Sequence, residues 1–479
     1  RTLLDLLVIH PGDGASYQDL GELTAIEPPL WARLIAGYCR DRGWDVAIQD
    51  EQIATFKDLP EARLYCVVAY GHQPNASTHT MPEVLGFTAD LREMRPDAHI
   101  ILVGGHVAAL PERTLRESQA DWVCTGEGPA TVHLVLLGLQ GKMNQLDVLG
   151  LGWLHNGVYR ANKSALLIGP KELHGRAWDL LPSLDNYRAH NWQCFDGSPR
   201  SPYASIYTSL GCPYACVFCC INAPFGGHAY RMRDPADVID EVSYLYRMHD
   251  VKIFKITDEM FVLNKRHYTA ICEGLAALPF ASELNIWAYA RIDTVKKEDL
   301  ELFRRAGIRW LALGIESGSE HVRDGADKPI DKDDIHQVVS DIKSAGIRVI
   351  GNFIYGLPDD TVETMIDTTT LAMGLNCEFA NFYSAMAYPG SPLWLQTPPG
   401  DLPPAWSGFS QHSYDCQPLP TAKLTSDQVV GFRDASFNAY YSNPRYLEMV
   451  SREFGYHARR QIEQMTEKKL KRAYNDKAA

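Results

Sequence analysis

Three cysteines fall within eight residues in the stretch Ser209-Leu-Gly-Cys-Pro-Tyr-Ala-Cys-Val-Phe-Cys-Cys220. Cys212, Cys216 and Cys219 are spaced C-x3-C-x2-C. Cysteine thiolates are the ligands of iron–sulfur clusters. A compact loop with three thiolates can grip three corners of an iron–sulfur cube. The fourth iron then stays open to a substrate, as catalytic zinc keeps an open position. The same trio could instead furnish part of a zinc site. Cys220 adjoins the last of the three and is either a redox thiol or a small side chain that fills space. Cys194, Cys272, Cys377 and Cys416 have no paired spacing and read as ordinary buried residues.

A loop of this kind needs a rigid mount. The apolar run 204–210 reads as a strand leading into it, with Gly211 and Pro213 punctuating the exit. Strand and helix then alternate. Strands are expected at 251–256, 284–290, 309–315, 348–355 and 379–386, with helices at 235–248, 264–277, 297–306, 333–345 and 361–375. Asp234 and Pro235 make a good helix start. Six β-α units give a partial, TIM-like (β/α)6 barrel, open on one side, with its chemistry at the carboxyl ends of the strands. Polar residues gather at those ends: Asp258, Glu259, Arg291, Asp293, Glu316, Ser317 and Asn352, beside Phe353.

The first 145 residues also alternate. Strands are expected at 3–9, 64–70, 99–103 and 121–124, with helices at 29–42, 81–95 and 130–139. This pattern gives a doubly wound, Rossmann-like parallel sheet, and such sheets bind ligands at the carboxyl ends of their strands. Gly104 and Gly105, followed by His106, end one strand. Gly126, Glu127 and Gly128 end another. The glycines either make tight turns or let a flat ligand or nucleotide tail approach the backbone.

The pattern divides the chain into residues 1–145, an ordered connector 146–200, the barrel 201–395, and a mostly helical region 396–479. In the connector, Asn156-Gly157 signals a two-residue hairpin. In the last region Thr425-x-x-Gln428 is a capping box. The helices after it are expected to become progressively exposed. This region either closes the barrel and shapes a pocket or is a packing appendage.

Bulk properties narrow the function. The formal net charge of −13 lacks the basic footprint of a general nucleic-acid binder. No apolar run approaches the roughly 20 residues of a membrane span. No secretory signal opens the sequence. Eleven cysteines in 479 residues are too dispersed for a secreted disulfide framework. A cytoplasmic location is expected.

The cysteine spacing, with Phe218 before the last cysteine, resembles the signature of the radical S-adenosylmethionine (radical SAM) superfamily. The first segment is similar to the cobalamin-binding domains fused in front of such barrels, through Val103-Gly-Gly-His106, Leu110-Pro-Glu112 and Thr125-Gly-Glu-Gly128. Together they resemble the cobalamin-dependent radical SAM C-methyltransferases of natural-product assembly. The resemblance implies a [4Fe-4S] cluster on Cys212, Cys216 and Cys219. It implies S-adenosylmethionine contacts at Asp258, Glu259, Arg291, Glu316, Ser317, Asn352 and Phe353. It implies cobalamin contacts at His72, Gly104, Gly105, His106, Gly126, Glu127 and Gly128. The cobalt-ligating D-x-H-x-x-G pattern is absent, and His99 is not expected to ligate. The implied reaction cleaves S-adenosylmethionine to a 5′-deoxyadenosyl radical, removes hydrogen from an unactivated carbon of a small molecule, and transfers methyl from methylcobalamin. An external flavodoxin- or ferredoxin-type donor would supply electrons. The alternative keeps both cofactors but cyclises, contracts or oxidises its substrate. A methylthiotransferase is disfavoured, because the first segment has no second cysteine cluster.

Overall fold

The computed structural model of the chain describes residues 3–12, 20–54, 59–71 and 77–477. Its first sheet has seven strands: β1 (Leu4–His10), β2 (Val46–Asp50), β3 (Ala62–Ala69), β4 (Ile100–Gly104), β5 (Trp122–Cys124), β6 (Leu151–His155) and β7 (Val158–Ala161). Their spatial order is β2-β1-β3-β4-β5-β6-β7. The first five are parallel, and β6 and β7 join antiparallel. Side-chain alternation in β1 feeds both faces. Leu6 and Val8 pack into one core and Leu7 and Ile9 into the other, as the two-residue period requires.

Two features correct the sequence reading. β2 was not anticipated. The Asn156-Gly157 hairpin, placed in the connector, pairs with β5 through Trp122 and Trp153 and extends the first sheet. Both turn residues adopt positive φ, 49° at Asn156 and 77° at Gly157, the backbone that a tight hairpin turn demands.

The second sheet contains β8 (Tyr203–Ile206), β11 (Ile253–Ile256), β12 (Asn285–Ala290), β13 (Ile308–Glu316), β14 (Arg348–Tyr355) and β15 (Phe379–Ser384). All neighbours are parallel, in the order β15-β14-β13-β12-β11-β8. Helices follow the strands, and β8 and β15 are the two edges, so the expected open barrel is present. A short ribbon, β9 (Ser209–Leu210) against β10 (Arg231–Met232), brackets the cysteine loop.

An open barrel leaves a row of unpaired backbone groups on its edge strand. Here the C-terminal region covers them. The Tyr441 hydroxyl donates to the Ala380 carbonyl at 2.5 Å and accepts from the Ala380 N–H at 2.9 Å. Arg433 Nε donates to the Phe382 carbonyl at 2.7 Å. Both residues lie on the helix Ser426–Tyr441, which starts at the expected Thr425/Gln428 capping box. Exposure rises along the last helices as expected, with no buried residue in Ala473–Lys477, but one residue before that helix is an exception. Arg472 is 2% exposed, and its guanidinium folds back onto Asp434 at 2.9 and 3.0 Å.

The two sheets are joined by buried polar contacts. Arg33 donates to the carbonyls of Gly175 at 2.5 Å and Ser205 at 2.7 Å. Lys255, inside the barrel, pairs with Glu27 at 3.0 Å. Arg231 of β10 pairs with Glu127 at 2.6 Å. Among the described residues no helix is long and apolar enough to cross a membrane.

Candidate active site at the carboxyl ends of the strands

Alternation decides which strand residues face the bore. On β12 and its exit the bore receives Trp287, Tyr289 and Arg291. On β13 it receives Ala312, Gly314 and Glu316, and on β14 Ile350, Asn352 and Ile354. These residues line a cavity of about 710 Å³ that runs from the cysteine loop, through Phe218 and Ile221, to the C-terminal region.

The cysteine loop is held at both ends. Gly211 has φ +89°, and a Cβ there would lie 1.8 Å from the Ala229 carbonyl oxygen. Asn222 then ties the loop across its base: its side chain accepts from the Cys212 N–H at 3.2 Å and donates to the Cys212 carbonyl at 2.8 Å. Cys212, Cys216 and Cys219 are half-buried, while Cys220 is buried. Among the described residues no three His, Cys, Asp or Glu side chains converge to hold a single metal ion. Three thiols on one compact loop are ligands of the type an iron–sulfur cluster takes.

Arg291 reaches this loop. Its guanidinium lies 3.9 Å from the Tyr214 ring centroid and 4.0 Å from Cys216 Sγ. Asp293 orients it through contacts of 2.9 and 3.1 Å. Glu316 sits where the β13–β14 register shifts and has φ +67°. Bulges re-aim side chains, and left-handed backbone at a non-glycine residue is a strain typical of functional sites. Here the distortion brings the Glu316 carboxylate to Lys328 Nζ at 2.5 Å. Gly314 makes room for this pair, since a Cβ there would lie 2.5 Å from Lys328 Nζ. Asn352 donates to the Leu313 carbonyl at 3.2 Å and accepts from Asn381 at 3.0 Å, a short amide ladder facing the cavity.

The neighbouring acids divide. Glu259 lines the cavity, and its Oε2 is buried without a hydrogen-bond partner among the described residues. Burial pushes its carboxyl up to about 8. Asp258 faces away from the cavity. It accepts from the Thr208 N–H at 2.6 Å, the Thr208 hydroxyl at 2.5 Å and the Ser209 hydroxyl at 2.7 Å, which anchors the strand feeding the cysteine loop. Ser317 and Phe353, also expected at the ligand, do not line the cavity. Ser317 Oγ meets Thr368 Oγ1 at 3.3 Å and accepts from the Ser319 N–H at 3.1 Å. Phe353 is fully buried and stacks on Phe382. Lys328, Tyr214, Thr208 and Asn381 were not anticipated.

A second, smaller cavity of about 70 Å³ lies between the sheets. On the first sheet it begins at the ends of β1 and β3, at His10, Tyr70 and Gly71. The strand order reverses there, and doubly wound sheets bind ligands at such points. Gly105 lines it, facing Leu210, Cys220 and Phe225 from the barrel side. Trp31 stacks on Tyr70 with ring centroids 4.7 Å apart. The Tyr70 hydroxyl is buried without a partner among the described residues. Glycine edges, an aromatic pair and an unsatisfied hydroxyl suit the edge of a flat ligand, which is all that about 70 Å³ admits. Glu259 and Ile221 line both cavities.

The other expected residues of the first sheet have local partners. His106 Nδ1 is 3.1 Å from the Thr78 hydroxyl. Glu127 accepts from Arg231 and from the Ile168 N–H at 2.9 Å. Gly128 has φ +116° against Val103. A Cβ on Gly104 would lie 2.3 Å from the Ala69 carbonyl oxygen, so this glycine serves strand packing. A Cβ on Gly126 would meet only the Pro224 carbonyl at 3.7 Å. His72 lies outside the described residues.

Comparison with known proteins agrees with this geometry. Residues 19–136 match the B12 binding domain and residues 206–372 the radical SAM superfamily. The chain is 28% identical over 454 residues to the uncharacterized methyltransferase PH0819 of Pyrococcus horikoshii, covering 92% of this chain and 93% of that one. It is 27% identical over 464 residues to the anaerobic magnesium-protoporphyrin IX monomethyl ester cyclase of Rubrivivax gelatinosus, covering 92% and 78%. The fold is shared with the radical S-adenosylmethionine methyltransferase TsrM of Kitasatospora setae, at a TM-score of 0.64 and 18% identity over 82% of this chain and 74% of that one. A B12-binding sheet docked on an open barrel, with three cysteines at the first strand-to-helix loop, places the chain in the cobalamin-dependent radical SAM enzymes, whose cofactors are a [4Fe-4S] cluster, S-adenosylmethionine and cobalamin.

Proposed function

We propose that this enzyme is a C-methyltransferase acting on an unactivated carbon of a small molecule. One observation carries the reading: Glu259 and Ile221 line both the inter-sheet cavity and the barrel cavity. A group held between the sheets and a substrate held in the bore would meet beside the cysteine loop. The full-length similarity to a protein named as a methyltransferase supports it.

When bound, the cofactors supply reductive cleavage of a sulfonium, hydrogen removal and a transferable methyl group; the protein supplies position and exclusion of water. Cys212, Cys216 and Cys219 would hold the cluster. Glu259 would receive the amino group of S-adenosylmethionine, which would satisfy its unpartnered Oε2. Arg291, and Glu316 steadied by Lys328, would contact the carboxylate and ribose, with Asn352 beside them. Asp258, Ser317 and Phe353 would act by positioning these residues. Gly105, His106 and Gly126 would border the corrin. Gly104, Glu127 and Gly128 would shape that border from behind. An external one-electron donor of flavodoxin or ferredoxin type would reduce the cluster.

The test is an anaerobic incubation with reductant, methyl-labelled S-adenosylmethionine and a fractionated metabolite extract. Label in a new product, formed together with 5′-deoxyadenosine, is the expected result. The similarity to a cyclase favours one rival, ring formation. That reading predicts 5′-deoxyadenosine and a product lighter by hydrogen, with no label incorporated.

A further inference from the structure

The carboxyl ends of β1 and β2 lie side by side, and their last residues, His10 and Asp50, are register partners. His10 Nδ1 is 3.3 Å from Asp50 Oδ1. Both residues are buried, at 6% and 2% exposed. The Tyr187 hydroxyl donates to Asp50 Oδ2 at 2.7 Å, and the Gln52 N–H donates to Oδ1 at 3.1 Å. Burial alone would raise the Asp50 carboxyl, but the bonds from His10, Tyr187 and Gln52 bring it below its ordinary value. An ionised carboxylate only accepts, so the ring proton of His10 sits on Nδ1 and Nε2 carries the lone pair. A carboxylate that fixes one ring nitrogen in this way sets the other for a ligand.

His10 lines the inter-sheet cavity, at the point where the strand order reverses. Other polar side chains of that cavity have protein partners. Ser205 donates to the Pro28 carbonyl at 3.1 Å, Ser209 to Asp258 at 2.7 Å and Thr257 to the Ile206 carbonyl at 3.0 Å. Glu27 is paired with Lys255. The His10 ring has Asp50 as its hydrogen-bond partner among the described residues, through Nδ1, which leaves Nε2 for a ligand. Held through Asp50 by β2 and by Tyr187 of the connector, this lone pair is a preorganised acceptor.

We infer that His10 is a cobalamin-binding residue that reads the amide rim of the corrin: Nε2 accepts a hydrogen bond from a carboxamide N–H at the edge of the ring system, while Asp50 and Tyr187 fix the imidazole. A cavity that admits only the edge of a flat ligand receives its rim, and the rim of a corrin carries carboxamides. The inference rests on reading the inter-sheet cavity as the corrin site of the B12-binding domain. It is independent of the reaction run in the barrel.

The test is corrin binding to the anaerobic, cluster-loaded protein, followed by absorbance. The probes are cobinamide, whose side chains are amides, and heptamethyl cobyrinate, whose side chains are methyl esters without N–H groups. The wild-type protein should bind cobinamide more tightly. His10→Phe keeps a ring but loses the acceptor. It should shrink that preference about tenfold, the scale of one hydrogen bond, and leave the affinity for the ester unchanged. His10→Ala carries the same expectation where the larger ring is not accommodated. His10→Gln restores an acceptor and should recover the preference. Trp31→Ala removes an aromatic side chain from the same cavity and should weaken both corrins while keeping their ratio. Equal binding of the two corrins by the wild-type protein, or a ratio unchanged in His10→Phe and His10→Ala, overturns the inference. Wild-type affinity for both corrins in Trp31→Ala would overturn the reading of the cavity, and the inference with it. No turnover is involved. A protein that binds the corrins as expected and yields no labelled product would overturn the methyl-transfer reading alone.

Discussion

The Lys255 ammonium lies 3.0 and 3.1 Å from the two carboxylate oxygens of Glu27, with both side chains at most 4% exposed. Lys255 is on β11 inside the barrel, 4.9 Å from the Trp287 ring centroid. Glu27 precedes the first helix of the other sheet and lines the inter-sheet cavity. The pair therefore sets how the cobalamin-binding sheet sits on the barrel. Removing one partner of a buried pair strands a charge and typically costs about 3–5 kcal/mol. Lys255→Met and Glu27→Leu should each lower the thermal unfolding midpoint, and Lys255→Met/Glu27→Leu should recover part of the loss. Losses that simply add in the double variant would argue against coupling.

Cys212→Ala, Cys216→Ala and Cys219→Ala should each lose bound iron and sulfide after reconstitution, along with reductive cleavage of S-adenosylmethionine. Cys220→Ala should retain both. Cys220 is 8% exposed and faces the inter-sheet cavity, and its carbonyl accepts from the Ala223 N–H at 3.1 Å as the loop turns away. Iron content per chain decides the matter. A Cys220→Ala protein as empty as Cys219→Ala would make Cys220 a ligand.

Gly211→Ala should empty the cluster site without touching a ligand. A methyl group cannot occupy a point 1.8 Å from the Ala229 carbonyl oxygen, so the exit of β9 must shift. Gly226 has φ +68° with nothing within 4 Å of its would-be Cβ. Gly226→Ala should cost only about 1–2 kcal/mol of backbone strain and keep its iron. Iron and sulfide analysis of the two variants side by side makes the comparison.

His106 gives a pH dependence with a definite sign. Burial, with Arg113 adding, pulls its ring down to about 3, whereas an unfolded histidine titrates near 6.5. The unfolded chain therefore takes up a proton that the folded chain refuses. Its contribution to stability is complete above about pH 6.5 and is lost as pH falls toward 3, by up to about 1.4 kcal/mol per pH unit. His106→Asn should flatten the decline of the urea midpoint between pH 7 and 5 relative to wild type. An unchanged slope would show that folding does not hold the His106 ring below its unfolded value.

The alternation of strand and helix was legible because apolar runs and their small-residue exits repeat along both halves. The loop cysteines were legible from spacing alone. β2 was not, because its apolar run is only three residues, Val46 to Ile48, before the polar Gln49 and Asp50. Strand parity separates Glu316 from Ser317 and Asn352 from Phe353, because successive residues of an extended chain point to opposite sides. Only Glu316 and Asn352 of those pairs face the cavity. Asp258 and Glu259 divide in the same way. Lys328 was invisible for another reason. Its partnership with Glu316 exists only because of the β13 bulge, and no local pattern announces it.

The edge of β15 is closed by side chains of the helix Ser426–Tyr441, not by another strand. Hydroxyl and guanidinium contacts to backbone oxygens impose no register on the barrel. The cavity wall that this helix supplies can therefore be rebuilt, lengthened or exchanged while the six strands and the cysteine loop keep their alignment. The cysteine loop and the covering helices sit on separately replaceable parts, which makes residues 426–475 the segment to exchange when reshaping the cavity.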